Sequence, residues 1–279
     1  MTESERFYMF EEERLQKIAG YVQSNTRASV HRLCELFGVS ESTVRRDLNE
    51  LEKRRLLKRT HGGAVCLESV GFEPTYSEKE DQYREEKQSI AERAAAMIED
   101  GESLLIDAGT TTLYLVPHLS KFKHLTVVTN SILLLQQLAP YSGITLMSTG
   151  GTLRPNTMAL VGPVAESFLG RIRVDKAFIA TNGIEKNMGL TTPNISEASV
   201  KEKMMQVSEQ VFVLADHTKI GRVSFARFGM LSEIDGCITS DLITDEQKME
   251  FVNRGVCLYL VENSKKCSQK NGQQDIGGV

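Results

Sequence analysis

Three apolar stripes at helical spacing open the chain. Leu15, Ile18, Ala19 and Val22 fall at i, i+3, i+4 and i+7, which predicts an amphipathic helix. Val30, Leu33, Cys34 and Phe37 repeat that spacing over a second, shorter helix, with Ser29 placed to cap its start. Gly38 supplies a turn at which positive φ is useful. Ser40 then stands at the start of a third helix, whose inward stripe is Val44, Leu48 and Leu51. A short helix, a glycine turn and a capped helix form the helix-turn-helix signature, here over about residues 27–46. After it, Leu56–Val65 reads as a two-stranded wing with Gly62 and Gly63 at or near its tip.

From Glu85 onward the period switches back and forth. Short apolar runs predict strands at Ser103–Ile106, Leu125–Thr129, Ile144–Ser148, Lys176–Ala180, Val211–Ala215, Gly236–Thr239 and Val256–Val261. Helical patterns fall between most of them, at Glu86–Ile98, Leu113–Leu119, Ile132–Leu138, Val164–Arg171, Glu197–Ser208 and Glu246–Val252. Such alternation predicts an α/β domain with a largely parallel sheet and helices on both faces. The expected organisation is a winged helix-turn-helix DNA-binding domain over 10–65, a linker over 66–84 and an α/β effector-binding and oligomerisation domain over 85–262. The linker lacks either period and includes Gly71 and Pro74. Residues 263–279 are polar and read as a disordered tail.

Charge sharpens this division. The chain carries a net charge of −4, which excludes a protein that coats nucleic acid by bulk basicity. Residues 27–65 nevertheless hold nine Lys and Arg against five acids. On the third helix Ser42, Arg45, Arg46, Asn49 and Lys53 lie opposite the buried stripe. Arginine bonds guanine bidentately or clamps phosphate, and Ser40, Ser42 and Thr43 serve either target. In the wing, Arg59, Thr60 and His61 are candidates for the DNA backbone or minor groove. Asp47 and Glu50 are expected to restrain the arginines or face solvent.

Other classes fall away. The start of the chain is acidic and polar, unlike a secretory signal, and no run reaches about 18 uninterrupted apolar residues. The five cysteines are scattered without a CxxC, which fits reduced thiols in the cytoplasm rather than a disulfide framework. The histidines offer no ligand spacing, so neither metal nor cofactor is expected.

Polar residues cluster directly after the strands, at 107–112, 129–131, 149–152, 181–183 and 216–219. In open α/β sheets ligands sit outside the carboxyl ends of strands, so these five runs predict one rim that binds a polar small molecule. Gly109, Thr110 and Thr111 lie between a strand and a helix and can cradle an anion. Their pattern matches neither the P-loop nor the dinucleotide fingerprint. Asp107 suits a sugar hydroxyl or the fixing of its loop, Arg154 and Lys219 supply positive charge, and Glu197 accepts hydroxyls. With Asn130, Gly151 and Asn182 from the other runs, the set fits a phosphorylated polyol.

These residues resemble a known family. Arg14, Ile18 and Val22, then Val39, Ser40, Ser42, Thr43, Val44, Arg45, Arg46, Asp47 and Leu48, then His61 to Val65, closely resemble the N-terminal signature of DeoR-type bacterial transcriptional regulators. Asp107 to Thr111, Val128 to Ser131, Gly150, Gly151, Leu153 and Arg154, and Leu214 to Lys219 resemble the same family's sensor domain. The resemblance spans roughly residues 10–262. It implies a regulator of sugar catabolism, usually a repressor, released from double-stranded operator DNA by a phosphorylated sugar. It also implies a sensor fold similar to ribose-5-phosphate isomerase, with Asp107, Gly109, Thr110 and Thr111 matching the phosphate loop and Lys219 a lysine of the isomerase-like pattern. The isomerases' acid-rich run is absent, and the segment from Asp175 to Gly183 stands roughly where it belongs. Without paired carboxylates there is no evident general base, which favours sensing over turnover. The alternative is a phosphosugar isomerase carrying a DNA-binding module. A homo-oligomer, dimer or tetramer, is expected because helix-turn-helix proteins commonly read two half-sites.

Overall fold

A computed structural model describes residues 11–25, 27–54, 56–66 and 75–262. The tail expected over 263–279, and residues 67–74 of the expected linker, lie outside the described residues. The chain divides into two compact units, residues 1–72 and 73–279.

The first unit contains helices Glu11–Asn25, Val30–Phe37 and Glu41–Lys53. Leu15, Ile18, Val22, Val30, Leu33, Val44, Leu48 and Leu51 are all buried in one core with Leu57 and Ala64. The Ser29 hydroxyl accepts the Arg32 N–H at 3.1 Å, and Gly38 closes the second helix at φ +62 with its N–H on the Cys34 carbonyl. One feature departs from the sequence reading. A short strand, Arg27–Ser29, precedes the second helix and pairs antiparallel with Gly63–Val65, so the wing has three strands rather than two. The turn itself is His61 and Gly62, and Gly63 lies within the strand. A Cβ on Gly63 would stand 2.0 Å from the Ala28 carbonyl oxygen. That glycine is needed for close strand approach, not for turning.

The second unit is built on a seven-stranded sheet in which every neighbouring pair is parallel. From one edge to the other it runs Cys257–Val261, Gly236–Ser240, Ser208–Leu214, Val174–Ala180, Ser103–Ile106, Leu125–Thr129 and Ile144–Ser148. All seven expected strands are present. Neighbouring residues of one strand feed opposite cores. Leu104, Ile106, Phe178 and Phe212 pack on one face, and Leu105, Ala177, Ile179 and Val213 on the other, as burial on both faces of a parallel sheet requires. Helices Arg84–Ala95 and Ile132–Leu138 contribute Ile90, Ala91 and Leu134 to the first core. Pro163–Leu169 and Ile195–Gln206 contribute Ala165, Leu169 and Met204 to the second.

Chain order leaves the centre of the sheet in opposite directions from Ser103–Ile106 and Val174–Ala180, which are adjacent. Loops leaving their carboxyl ends therefore part, and a crevice opens between them. Several elements were not expected from the sequence, in three places above all. One is a hairpin of Thr152–Arg154 with Ala159–Val161. Another is an antiparallel sheet of Gly183–Glu185, Gly189–Thr192 and Ala226–Gly229. The third is the helix Tyr76–Glu80, where the linker reading anticipated no period. The expected helix over Leu113–Leu119 is instead two single turns, Thr110–Leu113 and Val116–Leu119, the second entered through Pro117.

Candidate functional sites

On the third helix of the first unit, Ser40 is the N-cap. Its hydroxyl accepts the Thr43 N–H at 3.3 Å and lies 2.8 Å from the Ser42 hydroxyl and 2.9 Å from that of Thr43. Arg45, Arg46 and Asn49 are exposed. Arg45 Nη2 is 3.1 Å from Glu41 Oε2, one turn back. Asp47 was expected to restrain the arginines of this helix or face solvent, and does neither. It is buried against the first helix, where Arg14 donates from Nε to Oδ2 at 2.6 Å and from Nη2 to Oδ1 at 3.0 Å. Glu50 holds Arg54, whose Nε donates to it at 3.0 Å. The helix is thus fixed on its inner side by a bidentate pair, and Arg45 and Arg46 remain on the outer side. In the wing, Arg59 donates to the Asn49 carboxamide oxygen and its backbone N–H to Glu52 at 2.8 Å. These contacts tie the strand to the recognition helix. His61 stands exposed at the turn.

The second unit holds a cleft at the crevice between the diverging loops. The sheet side supplies Ala108, Gly109, Thr110, Thr111, Ala180, Thr181 and Asn182. Asp216 and Lys219 come from the end of the next strand, Glu197 and Lys201 from the helix Ile195–Gln206, and Thr157 from the hairpin. Tyr76, Lys79, Gln82 and Lys87 form the remaining wall. Gly109 touches its neighbours closely: a Cβ there would be 2.5 Å from that of Ala180. The turn closes with the Leu113 N–H donating to the Gly109 carbonyl at 3.1 Å, and Thr112 fixes the loop by donating to the Asp107 carbonyl at 2.7 Å.

Two buried carboxylates organise the floor. Asp107 Oδ2 accepts the Ala180 N–H at 3.1 Å and an ion pair from Lys201. Lys201 also donates to the Ala180 carbonyl at 2.8 Å. Burial pushes the Asp107 carboxyl up, with Lys201 opposing. Glu197 accepts from the Thr157 hydroxyl at 2.5 Å, the Thr192 hydroxyl at 3.2 Å and Arg154 Nη1 at 2.5 Å. Burial raises its pKa, but Lys201, Thr157 and Arg154 outweigh that, and the carboxyl is held below its ordinary value. Lys87 is pushed down to about 8, by burial first and by Lys219 and Lys79 nearby, against the pull of Asp216 and Glu86.

Seven of the ten expected effector residues are thus drawn together, six in the lining and Asp107 just beneath it. Asn130, Gly151 and Arg154 are not in the lining. The strands they follow or extend lie away from the crevice, so only three of the five polar runs meet. Asn130 is buried, and its Oδ1 accepts the Ala108 N–H at 2.8 Å, which props the loop from below. Gly151 sits at φ +115, close under the Val161 carbonyl, just before the first strand at the open end of the hairpin. Arg154 acts on the cleft through Glu197. Among the described residues no three His, Cys, Asp or Glu side chains come together to hold a metal ion, and no helix is long and apolar enough to cross a membrane.

A helix-turn-helix unit followed by an α/β unit with a polar cleft at its switch point defines a ligand-responsive DNA-binding regulator. The family models agree with both halves: a DeoR-like helix-turn-helix domain matches residues 14–70 and a DeoR C terminal sensor domain matches residues 82–241. The chain is 42% identical over 248 residues to the HTH-type transcriptional regulator GlpR of Haloferax volcanii, covering 89% of this chain and 97% of that one. It is 36% identical over 258 residues to the HTH-type transcriptional repressor GlcR of Bacillus subtilis, covering 92% and 99%. Among solved structures, a ribose 5-phosphate isomerase A from Methanocaldococcus jannaschii aligns with TM-score 0.35 and 16% identity over 48% of this chain and 53% of that one. This chain belongs to the DeoR family of helix-turn-helix transcriptional regulators.

Proposed function

We propose that the protein is a cytoplasmic repressor of a sugar-catabolism operon, acting as a homo-oligomer and released from its operator by a phosphorylated sugar. The recognition helix enters the major groove with Ser42, Arg45, Arg46 and Asn49, Ser40 and Thr43 meet the backbone at its N-terminus, and Arg59 and His61 follow the adjacent backbone or minor groove. Two copies place two such helices on half-sites about one turn, ~34 Å, or a multiple apart. Effector binding favours an arrangement that no longer fits that spacing, which requires different effector affinities in the two states.

The observation that carries the effector reading is the concentration of four lysines, Lys79, Lys87, Lys201 and Lys219, around a cleft whose other polar lining is hydroxyl, amide and carboxylate. The phosphate takes the Gly109–Thr111 backbone and hydroxyls with Lys219 and Lys87. The sugar hydroxyls face Asn182, Thr157 and Glu197. Asp107 holds Lys201 and the loop in place rather than touching phosphate.

A thermal-shift panel of triose, pentose and hexose monophosphates tests this. A ligand near 100 times its Kd adds about 2.7 kcal/mol to stability, roughly 5–10 °C for a unit of this size. The same compound should release operator DNA. Thr110→Ala with Thr111→Ala should weaken it about 10-fold or more, since hydrogen bonds to a charged group are lost, while ligand-free operator affinity is unchanged. Silence across the panel defeats the reading.

The pH dependence is also fixed in sign. A phosphate ester gains its second charge near pH 6, so affinity rises through that value. Lys87 has a depressed pKa and binds phosphate as the cation, so affinity is full below about 8 and falls as pH rises through it. Isothermal titration from pH 5.5 to 9.5 should show this bell. Lys87→Met should flatten its alkaline limb.

A further inference from the structure

The wall of the cleft formed by residues 75–87 has a construction of its own. It is the first described part of the second unit, and it follows in sequence directly on the residues that join the two units. Its first turn is set by the Thr75 N–H, which donates to Glu78 at 2.9 Å, and the Tyr76 N–H donates to the Asn156 carbonyl at 2.7 Å. Across the turn after Glu80, Lys87 donates to the Lys79 carbonyl. Tyr83 stands in the left-handed region at φ +55, rare for an aromatic residue. Its ring meets the His217 ring edge-on at 5.0 Å.

His217 lies in the same short turn as Asp216 and Lys219 of the cleft. It is held from the same wall: its N–H donates to Glu86 Oε1 at 2.7 Å, and Nδ1 is 2.9 Å from Oε2. Glu86 also accepts from the Ser240 hydroxyl at 2.7 Å and is buried. The wall is thus tied at Glu86 to His217 and Ser240, and at Tyr76 to the Asn156 carbonyl. Between these anchors Tyr76, Lys79 and Gln82 line the cleft. The Tyr76 hydroxyl is buried without a hydrogen-bond partner among the described residues, an unfavourable state. A hydroxyl left in this condition is one that a rearranged wall can satisfy.

We propose that residues 75–87 are a ligand-reading strap: Tyr76, Lys79, Gln82 and Lys87 contact the bound sugar phosphate, and the strap's movement toward it is what the operator-bound state opposes. The inference rests on the phosphorylated-sugar reading above, and it assigns the coupling to one segment. The loop at 109–111 is held by Asn130, Thr112 and the Ala180 contact, so it has little freedom to move. Among the described residues, the backbone of 75–83 bonds to the rest of the unit at the Tyr76 N–H, and the wall is continuous in sequence with the chain leading to the DNA-binding unit. Lys79 and Lys87 bring positive charge that an entering phosphate draws inward.

Coupling between two sites is reciprocal and is commonly 5- to 150-fold in affinity. The test measures sugar-phosphate affinity for the full-length protein free and bound to promoter DNA, using the compound that gives the largest thermal shift. The variants are Tyr76→Phe, which removes only the hydroxyl, and Lys79→Ala with Gln82→Ala. The wild type should bind the compound at least about 5-fold more tightly when free. In the strap variants that ratio should fall toward 1 while ligand-free operator affinity stays within about 2-fold of wild type. In Thr110→Ala with Thr111→Ala the affinity should fall but the ratio persist. Hydrogen exchange adds a reading that needs no ligand: operator DNA alone should change protection across 76–83. A wild-type ratio near 1, unchanged ratios in either strap variant, or unchanged protection overturns the strap alone. Absence of binding by any sugar phosphate to the wild type overturns the effector reading and the strap with it.

Discussion

Replacing Arg45 and Arg46 together by alanine should weaken operator binding between about 30-fold and about 10⁴-fold. Each good base or phosphate contact by arginine is worth about 1–3 kcal/mol, and both side chains are exposed on the outer face of the capped helix. Stability should hardly change. Arg45 pairs with Glu41, one turn away, a contact worth about 0.3–0.5 kcal/mol. The core beneath, with Val44, Leu48 and the Arg14–Asp47 pair, is untouched. Fluorescence anisotropy on promoter DNA over a salt series separates the roles of the two residues. An arginine that clamps phosphate takes about 0.9 from the slope of log K against log salt when removed. One that reads guanine leaves the slope and relaxes discrimination at one base pair. Retention of normal operator affinity by the double variant would remove this helix from the interface.

The DNA-binding unit was legible because its signals are local. Caps at Ser29 and Ser40, a glycine at positive φ and three i, i+3, i+4 stripes all act within a few residues of each other. The strand Arg27–Ser29 was not legible, since three residues carry no period and only Gly63, across the pairing, reveals it. In the second unit the inner parallel strands are largely buried on both faces and read as apolar runs, and the edge strands Ile144–Ser148 and Cys257–Val261, though more exposed, keep enough apolar residues to be found. The antiparallel sheet built from Gly183–Glu185, Gly189–Thr192 and Ala226–Gly229 has strands of three or four residues, too short for alternation to register.

The cleft was half visible. Loops after strands could be named, but which of them meet depends on sheet order, and order is a long-range property. Asn130 and Gly151 belong to strand ends displaced from the switch point. Tyr76, Lys79 and Gln82 were hidden by the linker reading, and Lys87 fell in the expected helix Glu86–Ile98, where nothing marked it as part of a cleft. A signal was available there: Thr75 and Glu78 have capping-box spacing just after Pro74, a helix start that composition obscured. Lys201 was also missed. It stands four residues after Glu197, so both share one helix face with Ala198 and Met205. Two opposite charges on a face that is otherwise apolar must meet partners inside the protein.

That buried pair leads to the largest expected effect on stability. Lys201→Met keeps the length of the side chain and leaves Asp107 without its cation in a site where one carboxylate oxygen, Oδ1, already has no partner. Removing one member of a buried pair costs about 3–5 kcal/mol, which is a large part of the 5–15 kcal/mol typical of a folded domain. The sign with pH follows from Asp107. Its folded pKa is already raised by burial, and losing Lys201 raises it further. The deficit should therefore be smallest below the unfolded carboxylate value of about 3.9 and grow as pH rises above it. Urea unfolding at pH 4 and pH 7 would show this divergence. Adding Asp107→Asn to Lys201→Met removes the stranded charge while an amide oxygen still accepts the Ala180 N–H. The double variant should recover part of the lost stability at pH 7, a non-additivity that a cycle of the four proteins measures directly. It should not recover sugar-phosphate binding, because the ammonium that lines the floor and holds Glu197 ionised is still missing. Equal stability of the single and double variants at pH 7 would mean that Asp107 is solvated in the folded protein, and the cleft would then lack the rigid floor on which the positions of Gly109 and Asn182 depend.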